Sequence, residues 1–295
     1  MLSVLVPIYN FDITSFIKNV YTQCEEANIE FEILCYDDGS TLQFKTFNSS
    51  LAQLNKVSYV ELPANLGRSK IRNLLAKNAK FNKLLFVDCD SKTETNSYIK
   101  NYLSCLEEYP VIYGGRSYDQ APPSNKEMYL RWYYGINREV KSAQERATEP
   151  YRNFMTNNFV IEKQIIQQIG FNETLEGYGY EDLLFAQNLK KQGISIHHIH
   201  NPLLHIGIEK TNDFIKKTAN GMKNLSKMIR SNQVDDDIKI YRVYKKLDRY
   251  KLLWFIELVY VIIKNSIQKN LNSRTPKLNY FDLYKLQHLI KAMKS

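Results

Sequence analysis

Short apolar runs separated by turn residues set the pattern of the first two hundred positions. Residues 3–8, 32–36, 57–62 and 84–87 are nearly unbroken apolar stretches of strand length. Runs of this kind, without alternation, predict strands buried on both faces of a parallel sheet. Helical periodicity fills the gaps, at 13–26, at 69–80 with Ile71, Leu74, Leu75 and Ala79 on one face, and at about 96–108. A short strand at 111–113 closes at Gly114-Gly115. Helices at 162–169 and 183–191 each end at a glycine, and a strand at 194–199 precedes the Asn201-Pro202 turn. Strands alternating with helices at this pitch predict an α/β domain around a doubly wound, mostly parallel sheet.

Polar residues cluster where the strands end. Lys83-Leu84-Leu85-Phe86-Val87 runs into Asp88-Cys89-Asp90, the strand at 32–36 into Asp37-Asp38-Gly39-Ser40, and the first strand into Tyr9 and Asn10. In a doubly wound sheet these ends share the rim where ligands bind. Two carboxylates one residue apart repel each other. They fit either an acidic turn capping the next helix or a pair that faces a divalent cation carrying a diphosphate. Residues 118–152 break the alternation. They are rich in aromatic and cationic residues (Tyr129, Arg131, Trp132, Tyr133, Tyr134, Arg138, Arg146, Arg152) and read as one helix with loops. Trp132 fits a sugar-stacking platform and an ordinary packing stripe equally well.

The chain has 295 residues, 44 % of them apolar, enough for one large domain with an appendage. It opens directly on a strand, with no basic segment or cleavage site, so a cytoplasmic location is expected. Cys24, Cys35, Cys89 and Cys105 form no C-x-x-C pair, which fits a reducing compartment and excludes the usual zinc spacings. No repeat or low-complexity tract is visible. The net charge of +9 favours anionic partners, but no nucleic-acid-binding motif accompanies it, so nucleic acid is not expected as a partner. The excess lies in the C-terminal third, which reads as all-helical from about residue 211. There, the apolar run 252–263 is too short to span a bilayer and is flanked by Lys245, Lys246, Arg249, Lys251, Lys264 and Lys269. An interfacial helix on the anionic inner face of the cell membrane and a helix packed on the main domain both fit this pattern.

Five segments, in order, resemble family 2 inverting glycosyltransferases of the GT-A fold. They are Pro7-Ile8-Tyr9-Asn10 ending the first strand, Asp37-Asp38-Gly39-Ser40, Asn65-Leu66-Gly67 with Arg72-Asn73, the D-x-D motif Asp88-Cys89-Asp90, and Gly170-Phe171-Asn172-Glu173 followed by Gly177-Tyr178-Gly179-Tyr180-Glu181-Asp182. The last block is similar to one shared by β-galactosyl- and N-acetylgalactosaminyltransferases and chondroitin-polymerase-like enzymes. The resemblance covers about residues 2–207. It departs at Tyr178, where the family has Trp, and at Asn172, where it has an acid. Both departures bear on which sugar is transferred.

The resemblance implies a GT-A domain at 1–210, with a nucleotide-binding half at 1–117 and an acceptor and catalytic half at 118–210, and a helical extension at 211–295. It implies a UDP-sugar donor and Mn²⁺ or Mg²⁺, with Asp90 and His205 as metal ligands and Asp88 as a third ligand or a ribose contact. Pro7 and Tyr9 would shape the uridine pocket, Asp38 would accept from base or ribose, Arg72 would pair with Asp38 or a phosphate, and Asn157 would bond the donor sugar. Asp182 would be the general base, Glu181 a sugar-binding acid, and Gly177 and Gly179 would let the backbone approach the sugar. The implied activity is transfer of a hexose or N-acetylhexosamine to a glycan, free or lipid-linked, in surface polysaccharide synthesis. A binding protein that has lost catalysis and, less well, a sugar nucleotidyltransferase remain as alternatives. The second lacks its glycine-rich phosphate loop at Tyr9-Asn10-Phe11-Asp12.

Overall fold

The structure is a computed structural model, and it describes residues 1–174, 179–234 and 238–294. Gly177 and Tyr178 of the expected sugar-facing block lie outside the described residues. In chain order the elements begin β1 (Leu2–Ile8), α1 (Thr14–Glu26), β2 (Phe31–Asp37), α2 (Leu42–Asn48), β3 (Val57–Glu61), α3 (Arg68–Asn78) and β4 (Lys83–Val87). There follow β5 (Ser91–Thr93), α4 (Tyr98–Leu103), β6 (Val111–Tyr113), β7 (Arg116–Ser117), α5 (Tyr129–Tyr134), α6 (Ala143–Ala147), β8 (Asn158–Glu162) and α7 (Lys163–Ile169). The chain ends with α8 (Glu181–Lys191), β9 (His197–His198), β10 (Leu203–His205), α9 (Thr211–Arg230), α10 (Lys239–Arg249), α11 (Leu253–Leu271) and α12 (Leu278–Lys294).

Two compact units result, both discontinuous in sequence. The first comprises Met1–Asp119, Glu139–Leu175 and Glu181–Gly207; the second comprises Gln120–Arg138, Glu176–Tyr180 and Ile208–Ser295. Gln120–Arg138, part of the segment read as the start of the acceptor half, thus clusters with the second unit.

A seven-stranded sheet of order β3-β2-β1-β4-β8-β6-β9 forms the centre of the first unit. The first four strands are parallel, and their alternate residues fill two cores. Leu2, Val4, Val6 and Ile8 of β1 meet Phe16, Ile17 and Val20 of α1 and Tyr98 and Ile99 of α4 on one face. On the other face, Leu5, Leu84 and Phe86 meet Ile71 and Leu75 of α3 and Phe185 and Leu189 of α8. From β1 the chain first winds to β2 and β3, then returns to β4 on the other side. The switch point therefore falls between β1 and β4, where ligand crevices form. Pro7 lies beyond Leu5 and Phe86, the last pair of the β1–β4 ladder, so its missing N–H removes no rung there.

Three sequence expectations need correction. The first concerns β8, which was not read as a strand. It runs antiparallel to both β4 and β6, so the sheet is mixed on that side. The helix expected at 96–108 is helical only over Tyr98–Leu103 and continues as turns. The strand expected at 194–199 pairs only at His197–His198, beside β6. A separate three-stranded sheet of order β5-β10-β7, too short in every strand to leave a periodic signal, closes the unit.

The second unit is helical. Leu130 of α5, Phe214 of α9, Ile267 and Leu271 of α11 and Phe281 of α12 form one core cluster; Met222, Leu225 and Ile229 of α9 with Leu289 of α12 form another. Trp132 sits edge-on to Tyr129 within α5.

Asn158 ties β8 to the loops around it. Its Oδ1 accepts from the hydroxyls of Tyr98 and Tyr102, each at 2.7 Å, and its Nδ2 donates to the carbonyls of Gly115 and Asn201, each at 2.9 Å. All of its amide capacity is used in a fully buried setting. Asn158→Leu leaves two buried hydroxyls and two carbonyls without this partner. It should lower unfolding stability by about 3 kcal/mol or more in urea titrations, whereas a change below about 1 kcal/mol would contradict that role.

Candidate active site

The rim at the carboxyl ends of β1, β2 and β4 gathers acids, and each is answered by a specific group. Asp37 Oδ1 accepts from the Ser40 N–H at 2.7 Å, while Asn10, at φ 50, receives the Thr41 N–H on its Oδ1 and donates its own N–H to Ser40 Oγ. Asp38 accepts from the N–H groups of Leu66 and Gly67 at 2.6 and 3.1 Å. Burial raises its pKa, and these two bonds work against the rise. Where base or ribose was expected, the Asp38 carboxylate holds the Asn65-Leu66-Gly67 loop that opens α3. Gly39 permits this closeness, because its φ is +76° and a Cβ would come within 2.8 Å of the Asn65 nitrogen. Tyr9 stands exposed at the end of β1.

Arg72 reaches from α3 into the rim. Its partner is Asp88, with Nη2 to Oδ1 at 2.8 Å, rather than Asp38. Its Nη1 is buried and has no hydrogen-bond partner. The other Asp88 oxygen meets Arg116 of β7 at 3.3 Å, so the carboxylate expected as a third metal ligand or ribose contact lies between two guanidinium groups. Arg116 also reaches Glu139 at 3.4 Å, and the Tyr118 hydroxyl donates to the same carboxylate. Burial by itself would lower the Arg116 pKa, but Tyr118, Glu139, Asp88 and Asp90 hold it well above the usual range. Asn73, next to Arg72, clamps the Gly-Phe-Asn-Glu segment: it accepts the Phe171 N–H and donates to the Phe171 carbonyl and Glu173.

Asp90 and His205 come together through the small sheet, not through sequence proximity. His205 pairs with Ser91 across the antiparallel β10–β5 ladder, and the Ile206 N–H donates to the Asp90 carbonyl at 2.9 Å. This brings Asp90 Oδ1 to 3.3 Å from His205 Nδ1. Gly207 is required beside them, since a Cβ there would lie 2.5 Å from the Asp90 Cβ. Burial opposes the Asp90 charge, yet His205, Arg116 and Arg68 hold its pKa well below the usual carboxylate range. Asp90 Oδ1 is buried and accepts no hydrogen bond. A hard oxygen facing an imidazole nitrogen suits a divalent cation whose remaining positions go to phosphate oxygens and water. Among the described residues no group of three His, Cys, Asp or Glu converges on one such point.

The other half of the rim comes from β8 and α8. The Asp88 N–H donates to the Asn157 carbonyl at 3.0 Å. Asn157 is buried; its Oδ1 accepts from Tyr113 at 3.3 Å, and its Nδ2 is left without a partner. Next to it, Thr156 donates its hydroxyl to Asp182 Oδ1 at 2.5 Å. Asp182 and Glu181 open α8, but the two acids differ. Burial, then repulsion from Glu181, push the Asp182 pKa up to about 6, against the pull of Arg72 and Thr156. Burial also opposes the Glu181 charge, but Arg68, 3.0 Å away, and Arg72 lower its pKa overall. One acid is held ionised, and its neighbour is poised near neutrality, the separation that acid–base chemistry uses.

Among the remaining histidines, His198 accepts from Arg146 Nε through Nδ1 and faces the Pro150 carbonyl through Nε2, and His197 stacks on Tyr109. Both are structural. Sequence reading missed Arg116, Thr156 and Arg68. Arg116 was marked only by following Gly114-Gly115, and Thr156 only by its place beside Asn157.

A profile described as Glycosyl transferase family 2 matches residues 3–170. Chondroitin synthase of Pasteurella multocida (strain Pm70) is 24 % identical over an alignment of 226 residues that covers 65 % of this chain and 23 % of that protein. The chain therefore spans less than a quarter of that relative's length. Among solved structures, mannosyltransferase PcManGT from Pyrobaculum calidifontis, in complex with GDP-Man and Mn²⁺, has a TM-score of 0.62 at 14 % identity and covers 99 % of this chain and 85 % of its own. Glucosyl-3-phosphoglycerate synthase from Mycobacterium tuberculosis, with Mn²⁺, UDP and glucosyl-3-phosphoglycerate, has 0.54 at 13 % identity, over 80 % and 81 %. S. aureus TarS 1-349 with UDP-GlcNAc has 0.50 at 16 % identity, over 100 % and 90 %. At such identities the likeness is one of fold, the GT-A fold.

Removing the cation shared by Asp88 and Glu139 tests the balance of charge at the rim. Arg116→Ala should cost about 3 kcal/mol or more in denaturant titration, because two carboxylates lose a buried partner. A loss under about 1 kcal/mol would mean that the pairing is solvent-screened.

Proposed function

The chain belongs to glycosyl transferase family 2, and from that premise we propose a metal-dependent, inverting transfer of a hexose or N-acetylhexosamine from a UDP-sugar to a glycan. The observation that carries this reading is the Asp182 carboxylate, raised to about 6 and tied through Thr156 and Asn157 to the strand end that bears Asp88.

In this reading the acceptor hydroxyl gives its proton to Asp182 as its oxygen attacks the anomeric carbon, and the bond to the diphosphate breaks on the opposite side, inverting that centre. A base must be ionised at working pH and still attract a proton, which a pKa near 6 satisfies. Glu181, kept ionised by Arg68, binds sugar hydroxyls. Asn157 offers Nδ2 to the donor sugar, and Arg72 offers Nη1 to the diphosphate. Asp90 and His205 would hold Mn²⁺ or Mg²⁺, which supplies neutralisation of the leaving diphosphate. Asp88 orients Arg72 and Arg116 and is within reach of ribose or metal-bound water. Pro7 and Tyr9 border the uridine pocket, whose floor Asp38 fixes through the 65–67 loop.

UDP as the donor nucleotide is supported by the TarS complex with UDP-GlcNAc and the glucosyl-3-phosphoglycerate synthase complex with UDP, although the mannosyltransferase is in complex with GDP-Man. The acceptor class in this reading is a surface polysaccharide, free or lipid-linked. The work would be done in the cytoplasm, at or near the inner membrane face.

Transfer assays with a panel of UDP- and GDP-sugars, with and without Mn²⁺ and after thorough chelation, test the reading. Asp182→Asn should lower kcat by about 10²–10⁴-fold with little change in KM. In the wild type, kcat/KM should fall about tenfold per pH unit below about 6, because Asp182 is then protonated. Full activity of Asp182→Asn would remove it as the base, and turnover undiminished by chelation would remove the metal.

A further inference from the structure

Helix α11 is apolar on two opposite sides, and the fold uses only one. Its inner side, with Tyr260, Ile263, Ile267 and Leu271, packs in the cluster that contains Phe281 and Leu283 of α12. On the outer side Trp254, Phe255, Leu258, Val261 and Ile262 fall within an arc of roughly 120°. All five are exposed, Trp254 by 63 % and Ile262 by 71 %. Tyr250 and Leu252, also exposed, continue this apolar surface into the turn before the helix. Single exposed apolar side chains are ordinary, but a continuous strip marks an interaction surface.

Charge indicates what covers it. Residues 208–295 hold 19 Lys or Arg against 8 Asp or Glu, a net +11, so the preceding 207 residues carry −2. Along the chain the cations flank the strip: Lys239, Arg242, Lys245, Lys246, Arg249 and Lys251 precede it with the single acid Asp248 among them, and Lys264 and Lys269 follow. A second copy of the chain docked by two-fold symmetry would set these cations against themselves. Among the described residues no helix is long and apolar enough to cross a membrane. An exposed apolar face with Trp and Phe at one end, flanked along the chain by cations, matches a helix lying in the plane of a bilayer interface.

We propose that the outer face of α11, together with the basic side chains of α10 and the 250–252 turn, seats the protein on an anionic lipid leaflet. Trp254, Phe255, Leu258, Val261 and Ile262 enter the headgroup boundary, and the lysines and arginines meet lipid phosphates. This makes specific the membrane-surface part of the reading above and stands apart from the transfer chemistry, because vesicle binding requires no sugar donor.

The test uses the full chain with vesicles of phosphatidylcholine alone and of phosphatidylcholine mixed with phosphatidylglycerol. Trp132→Phe leaves Trp254 as the sole tryptophan reporter. The expected result is sedimentation with the mixed vesicles, weakened by salt, and a blue shift of Trp254 emission. Trp254→Ser with Ile262→Ser, and separately Lys246→Glu with Arg249→Glu and Lys251→Glu, should each reduce partitioning at least ~10-fold. Circular dichroism and transfer to a soluble acceptor should stay unchanged in both variants. No binding, or equal binding to phosphatidylcholine alone, would overturn the proposal. So would a dimer in ultracentrifugation that dissociates on Trp254→Ser with Ile262→Ser, because it would assign the face to a second copy.

Discussion

The Asp88 carboxylate lies between the guanidinium groups of Arg72 and Arg116, 2.8 and 3.3 Å away, and the rim is organised around that neutralisation. Parallel strands deliver Asp37, Asp38, Asp88 and Asp90 to one edge, and α8 adds Glu181 and Asp182. That many carboxylates in a partly buried space is unfavourable unless each is answered. The answers differ in kind, and the differences sort the acids by role. Backbone N–H groups and a hydroxyl fix Asp37 and Asp38, arginines hold Asp88 and Glu181, and His205 faces Asp90. Asp182 accepts one threonine hydroxyl and feels the pull of Arg72, and burial with repulsion from Glu181 still raises its pKa to about 6.

Much of this scaffold was legible in the sequence, for physical reasons. β1, β2 and β4 are buried on both faces, so they read as unbroken apolar runs, and their ends announce the rim. β8 was missed because it starts with Asn158, a polar residue whose amide is spent on buried hydrogen bonds. β5, β7, β9 and β10 are held by ladder pairing and loop contacts, with too few residues for any period to show. The same shortness hid Arg116. The pairing of Asp90 with His205 was available only through the family resemblance; the β10–β5 register gives it a cause. Asp38 and Arg72 were placed on this rim, but their partners within the protein were not foreseen, because spacing along the chain does not reveal that the Asp38 carboxylate will accept from the N–H groups of a neighbouring loop or that Arg72 will pair with Asp88.

The two units also divide the chemistry of the chain. The first carries the acids and a slightly negative balance; the second carries the entire basic excess and the exposed apolar strip of α11.

As proposed, Asp90 and His205, closed together by the small sheet, would form the metal end of this rim. The most direct measurement is a crystal soaked with UDP and Mn²⁺, with anomalous diffraction recorded at the manganese edge. The expected result is one strong peak within coordinating distance of Asp90 and His205 and in contact with the diphosphate, with Asp88 still paired to Arg72. A peak elsewhere on the chain, or ordered UDP whose diphosphate lies away from this pair with no metal between them, would contradict it.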